Sequence, residues 1–311
     1  MNLISEKAIE AYVKNTTLKQ MLIVPAILLL LSLSILAYTT YRTGAPLELG
    51  LEFKGGMAVY LDSPKTPDQL KEDFTAFHVA QAREYGTGGE RKILQFGPMD
   101  ASTKDELIKK VKSEYTNVEI RDMGEQFSQS LQSQAVRAIV ISFILMAIVV
   151  FVAFRTFVPS GAVLISAFAD IAFAAAMMDV FGILLTLGTV AALLMLIGYS
   201  VDTDILLTTR LLKRKGELSD KIRDAMKTGL TMTTTTLAAL IALFVVSSGL
   251  ISSFLLIDII RDISIVLIFG LVADIVNTWM TNVGILKWYI ERGTKRTEKR
   301  IEKPKRKGQR A

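Results

Sequence analysis

The apolar positions of this chain fall into long unbroken runs separated by polar stretches. Six runs, mostly apolar, lie at about 21–41, 136–154, 158–178, 183–207, 230–250 and 263–286. A bilayer core is spanned by about 20 such residues in a helix, so each run predicts a transmembrane helix.

Between the first two runs the pattern shortens. Gly50 to Leu61 reads as two short strands around the Gly55-Gly56 break, a dipeptide that permits positive φ. Thr66 caps a helix with Pro67 at its first position, Gln69 completes a capping box, and Leu70, Phe74 and Phe77 recur on one face. Arg91 to Phe96 reads as a strand. Ser102 with Asp105 opens a second helix striped with Leu107, Ile108, Val111 and Tyr115, and Asn117 to Arg121 closes the segment as a strand. The predicted fold is a membrane all-α bundle of six transmembrane helices, with an external α+β domain of ferredoxin-like type between helices 1 and 2. Its parts are an amphipathic leader (1–20), helix 1 (21–41), the external domain (42–134), helices 2–6 (135–286) and a basic tail (287–311).

Composition supports the membrane class: of 311 residues 51% are hydrophobic, and mean hydropathy is +0.40. The first run sits behind a polar leader and lacks a small-x-small cleavage site, so it is expected to remain as an anchor. There is no cysteine, and His78 is the single histidine. Thiol chemistry and Ser/His/Asp or Cys/His catalytic sets are therefore excluded, and no catalytic residue, metal ligand or cofactor is assigned.

Lysine and arginine placement sets the expected orientation. Lys7, Lys14 and Lys19 in the leader, Arg155 after the second run, and Arg210, Lys213, Arg214, Lys215, Lys221, Arg223 and Lys227 after the fourth define one side. The turns near Asp179 and Ser247 to Ser253 carry no Lys or Arg. Both termini are thus expected in the cytoplasm, with a multi-pass chain in the cell membrane. The outer segment holds twelve basic and fifteen acidic residues against a chain total of +6, so the positive charge is a topology signal. It points to membrane lipid and away from nucleic acid.

The candidate chemistry lies in charges inside the runs. An ionisable side chain at the centre of a bilayer helix costs at least roughly 2.5 kcal/mol, so it faces a protein interior or a wet cavity and marks a transport path. Asp170 is roughly 18 Å into the third span and Asp274 roughly 16 Å into the sixth at 1.5 Å per residue. Asp202 and Asp204 lie in the inner part of the fourth, about 200° apart on a helix, so only one faces the interior with a given stripe. Arg210 is near enough to the cytoplasmic edge to snorkel. A carboxyl held in such a bundle takes up and releases protons as a cation approaches or leaves, which is what coupling to an ion gradient requires. Asp258, Arg261 and Asp262 read as a solvated cap on the sixth span, the threonines from Thr231 to Thr236 as packing hydroxyls, and Ser219 to Gly229 as a short helix on the inner membrane surface.

One span, a large outer domain, then five clustered spans is similar to one half of a transporter of the resistance-nodulation-division type. Within that layout, Gly50-Leu-Glu-Phe-Lys-Gly-Gly56, Gly198-Tyr-Ser-Val-Asp-Thr-Asp204 through Arg210, and Thr228-Gly-Leu-Thr-Met-Thr-Thr-Thr-Thr236 resemble the SecF family, subunits of the SecD/SecF accessory complex of protein export. The resemblance covers nearly the whole chain. It implies SecD, the Sec translocon channel and translocating preproteins as partners, and export assisted from the outer side, driven by the proton gradient in the bacterial members. It makes Glu52, Gly55 and Gly56 the external-domain motif; the ion-coupling candidates, read from the charges inside the runs, are Asp202, Asp204, Arg210, Asp170 and Asp274. Where Asp202-Thr203-Asp204 stands, bacterial members read Asn-Asp-Thr, so their acid falls on Thr203 and only Arg210 matches directly; the pattern looks more like archaeal SecF. The alternative is a half-transporter for lipids or small molecules. An intramembrane aspartyl protease lacks its Gly-x-Gly-Asp and Tyr-Asp pair here.

Overall fold

The computed structural model describes residue 12 and residues 16–85, 91–248 and 258–302. Most of the leader, the segment around Ser253 and the end of the basic tail lie outside the described residues.

The chain enters through α1 (Leu18–Thr43), opened by a Thr17–Gln20 capping box and closed at Gly44, φ 78°. A short helix α2 (Leu51–Lys54) leads into strand β1 (Gly56–Asp62). Then come α3 (Pro67–Asp73), β2 (Val79–Tyr85), β3 (Arg91–Phe96), α4 (Ala101–Glu114) and β4 (Thr116–Met123). Five long helices follow: α5 (Glu125–Phe154), α6 (Phe157–Phe181), α7 (Leu187–Lys213), α8 (Leu218–Ser247) and α9 (Asp258–Val276). After α9 the backbone widens into a π segment (Asn277–Asn282) and resumes as α10 (Val283–Glu302).

The four strands form one antiparallel sheet in the order β2-β3-β1-β4. Along β1 the side chains alternate by period two. Met57, Val59 and Leu61 pack with Leu70, Phe74, Leu94, Phe96, Leu107 and Val111 beneath α3 and α4. Ala58 and Tyr60 face the other way, against Leu51 and Ile93.

Several local readings change. Gly50 to Gly55 is not a strand but a single helical turn, closed by the Gly55 N–H donating to the Leu51 carbonyl, with Leu51 and Phe53 both buried. The second helix opens at Asp100, whose carboxylate accepts from Ser102 and Thr103; those bonds hold its pKa well below the ordinary carboxylate range. Strand β2 has weak apolar alternation and exists because β3 pairs with it. Ser219 to Gly229 is not a separate surface helix but the start of α8, and its Ile222 and Ala225 pack against Met21, Leu207, Leu211 and Trp279. Arg261 and Asp262 are partly buried and paired at 3.0 Å rather than fully solvated.

Among the described residues five helices are long and apolar enough to cross a membrane: α1, α5, α6, α7 and α8. The most apolar stretches of α6 and α7 are 61% and 56% buried, against 17%, 11% and 17% for α1, α5 and α8, so α6 and α7 form the centre. The periphery shows Ile27, Leu30, Val140, Ile144 and Ile148 outward, as helices facing hydrocarbon do.

The Gly-Gly dipeptide is a joint. Gly56 has φ +103° and a Cβ there would lie 2.1 Å from the Phe96 carbonyl oxygen; at Gly55, φ +73°, it would meet Glu125 Cα at 3.2 Å. The close approach seats β1 on β3 and on the first turn of α5. Gly56→Ala is therefore expected to lower stability by about 3 kcal/mol or more, combining left-handed strain with overpacking. The check is the thermal midpoint of the detergent-solubilised protein, with Gly124→Ala, whose Cβ would meet nothing within 4 Å, close to wild type.

Candidate functional site

Asp170 on α6, Asp204 on α7 and Asp274 on α9 are each 0% exposed. Small residues let these helices approach closely. Ala167, Ala169, Ala172, Ala174, Ala175 and Ala176 are buried along α6. On α9 a Cβ at Gly270 would stand 2.3 Å from Leu196 Cδ2 of α7, so only glycine fits there without displacing Leu196.

Ser200, Asp204 and Thr208 recur at four-residue spacing, which gives α7 one polar stripe, and all three are 0% exposed. Asp202, two residues from Asp204, is carried to the opposite side and is exposed. Arg210, half-buried at the end of α7, donates from Nη1 to the Asp224 carbonyl of α8 at 2.6 Å. The structure thus brings Asp170, Asp204 and Asp274 together and leaves Asp202 and Arg210 outside that group.

The donors come from residues that were not among the sequence candidates. Ser200 Oγ donates to Asp170 Oδ2 at 2.6 Å and Asn277 Nδ2 to Asp170 Oδ1 at 2.7 Å. Asn282 Nδ2 donates to Asp204 Oδ1 at 2.8 Å. The Thr278 hydroxyl lies 2.9 Å from that same Asp204 oxygen and 3.0 Å from Asp274 Oδ1. Three of these partners belong to the π segment. Positions five apart diverge by about 140° on an α-helix, whereas a π turn, bonded i to i+5, returns them nearly to one side. Asn277 and Asn282 can therefore both face the carboxyls. The signal in the sequence was Asn277-Thr-Trp-Met-Thr-Asn282, a polar cluster inside an apolar run, where buried hydroxyls and amides must find partners.

The widened turn is braced from α8. A Cβ at Gly229 would stand 2.5 Å from Trp279 Cζ2, so the indole of the π segment lies directly on that glycine. Tyr12 Oη donates to the Trp279 carbonyl at 2.9 Å.

Three carboxyl groups are thus held in a dry interior, and among the described residues none of them is ion-paired. Asp204 Oδ2 and Asp274 Oδ2 have no hydrogen-bond partner in the protein. An ionised carboxylate removed from water without a cation costs several kcal/mol. Thr278 has one hydroxyl proton and lies between two carboxyl oxygens, so both contacts are hydrogen bonds only when one of those carboxyls is itself the donor. With both contacts made, at least one of the two carboxyls carries a proton. Among the described residues no group of His, Cys, Asp or Glu is arranged to hold a metal ion.

A second set of contacts ties this bundle to the sheet domain. The Gly50 N–H donates to the Leu185 carbonyl at 2.8 Å and the Leu185 N–H to the Glu48 carbonyl at 2.7 Å, a one-bridge parallel pairing of the α1–β1 linker with the α6–α7 turn. Arg83 of β2 donates to the Gly182 carbonyl of that turn at 2.8 Å.

An α+β domain inserted after the first helix of a membrane bundle whose buried acids lie on its central helices defines a class of membrane transport subunit. The comparisons place the chain within it: residues 103–292 match the model for "Protein export membrane protein SecD/SecF, C-terminal". The protein-export membrane protein SecF of Methanolacinia petrolearia is 49% identical over 89% of this chain and 95% of that protein. SecF of Pyrococcus furiosus is 40% identical over 88% and 91%. The crystal structure of SecDF from Thermus thermophilus, a translocon-associated membrane protein, is similar in fold, with a TM-score of 0.70 at 20% identity over 88% of this chain and 38% of that longer one. The chain belongs to the SecD/SecF family of protein-export membrane proteins, on its SecF side. It is a multi-pass membrane protein that serves Sec-dependent export as an accessory and not as an enzyme.

The hydrogen bonds on Asp170 give a direct expectation. Asp170→Leu leaves Ser200 Oγ and Asn277 Nδ2 buried without an acceptor and should lower stability by about 2 kcal/mol or more. Asp170→Asn keeps an acceptor and should lose less; thermal midpoints of the purified protein compare the two.

Proposed function

We propose that this subunit pairs with SecD and couples an ion gradient, with protons as the working ion, to the movement of exported chains at the Sec translocon. The observation that carries the reading is the Asp170–Asp204–Asp274 group, three unpaired acids on three central helices joined by exchangeable hydrogen bonds. Charging or neutralising one of them changes which donors it holds. Two of the three helices, α6 and α7, meet at the turn that bonds to Glu48, Gly50 and Arg83, so a shift between them reaches the sheet domain.

In this reading α9, the π segment and the start of α10 together form the sixth span, charged residues and all, because the polar side chains are turned inward. The β1-α3-β2-β3-α4-β4 order with strands β2-β3-β1-β4 is a split βαβ arrangement of ferredoxin-like type. Both termini are cytoplasmic by the positive-inside rule, which sets the sheet domain (42–134) outside, where it engages preproteins as they emerge. The basic tail rests on anionic lipid. Asp202, on the open side of α7, and Arg210 enter the path where SecD's helices close over them.

Asp204→Asn should cut the rate of preprotein export in membrane vesicles by about a hundredfold or more, the order expected on losing a proton-transfer group. SecD should still copurify. Asp202→Asn and Arg210→Ala, at the edge of the group, should have smaller effects. Normal export with Asp170→Asn, Asp204→Asn and Asp274→Asn combined, in an assembled complex, would sink the ion-coupling reading.

A further inference from the structure

We propose that the Thr278 hydroxyl is a proton bridge between Asp274 on α9 and Asp204 on α7. The proposal rests on the ion-coupling reading and adds the residue through which a proton changes helix. Thr278 Oγ1 lies 3.0 Å from Asp274 Oδ1 and 2.9 Å from Asp204 Oδ1, distances at which either carboxyl can donate to it or accept from it.

The step balances without a co-reactant. With Asp274 protonated and Asp204 ionised, the Asp274 O–H bond breaks as its proton passes to Thr278 Oγ1. The proton already on Thr278 leaves for Asp204 Oδ1. Asp274 ends as the carboxylate, Asp204 as the acid, and the threonine hydroxyl is restored with its bond reversed. Before the step Thr278 donates to Asp204 and accepts from Asp274; afterwards it donates to Asp274 and accepts from Asp204.

The surroundings hold the three oxygens in line. Thr278 follows Asp274 by four residues and lies on its side of the helix. The π turn then brings Asn282 to the same Asp204 oxygen at 2.8 Å, which fixes that oxygen toward Thr278. Trp279, the next residue, is 2% exposed and packed on Gly229, so the turn that presents Thr278 has no room to rotate freely. Asp170 is held by Ser200 and by Asn277, on the other side of Thr278 in the chain, so the same turn reads all three carboxyls.

The test measures proton flux with a pH-sensitive dye sealed in proteoliposomes that hold the complex purified through this subunit. Thr278→Val keeps the shape and removes the hydroxyl. It should slow flux about a hundredfold, the lower end of what a positioned proton-transfer group contributes. Thr278→Ser restores the hydroxyl and should return most of the flux, which a purely structural role for the side chain would not predict. Wild-type flux in Thr278→Val, or Thr278→Ser as slow as Thr278→Val, overturns the bridge while slow Asp204→Asn and Asp274→Asn variants leave the coupling reading standing. Wild-type flux in Asp204→Asn and Asp274→Asn, or no flux in the wild-type complex, overturns the coupling reading itself. Should Thr278→Val fail to assemble, infrared spectra decide: the protonated-carboxyl band lost in Asp274→Asn must shift in Asp204→Asn, and an unshifted band overturns the bridge.

Discussion

Burying three carboxyl groups in an apolar bundle without a paired cation is the constraint on which the rest of the membrane region depends. Each needs hydrogen-bond donors, because an unsatisfied buried polar group costs about 1–3 kcal/mol and a bare charge more. One donor comes from α7 and the others from the π segment. The π turn in turn needs space for the Trp279 side chain, and Gly229 supplies it by letting the indole approach closely. Close approach needs Gly270 on α9 and the alanines of α6. Acid, π turn, indole and glycine are one device, and a change in any of them is felt at the others because a packed interior has no slack.

The sheet domain is attached to that device by backbone more than by side chains. The linker after α1 pairs with the turn between α6 and α7, and Gly50 allows it: a Cβ there would lie 2.8 Å from the Leu185 carbonyl. Gly55 and Gly56 do the same between β1, β3 and α5. The glycines of the Gly50 to Gly56 motif thus serve to seat the domain on the helices. Glu52, the motif's acid, is half-buried in the single turn of α2 between them.

Run length and periodicity carried most of the architecture. The first five apolar runs fall on α1, α5, α6, α7 and α8, because a membrane helix closes its own backbone hydrogen bonds, whereas the sixth run is divided among α9, the π segment and α10. Helix α3, its Thr66–Gln69 cap and the strand Arg91–Phe96 were legible for the same local reason. Strand β2 was not, since its pairing with β3 comes from tertiary contact. The helical turn of α2 and the length of α8 also depend on what each packs against.

The chemistry divides along the same line. That Asp170, Asp204 and Asp274 lie inside apolar runs is read from the sequence, and that Asp202 and Asp204 point to opposite sides follows from helix geometry. Which of that pair faces inward required the neighbouring helices, for the choice is made by packing: the stripe of Ser200, Asp204 and Thr208 is covered and Asp202 is left open. The partners Ser200, Asn277, Thr278 and Asn282 could be read only as polar residues in apolar runs. Their assembly around the acids depends on a helix departing from its own period, and a departure from periodicity is what periodicity cannot predict.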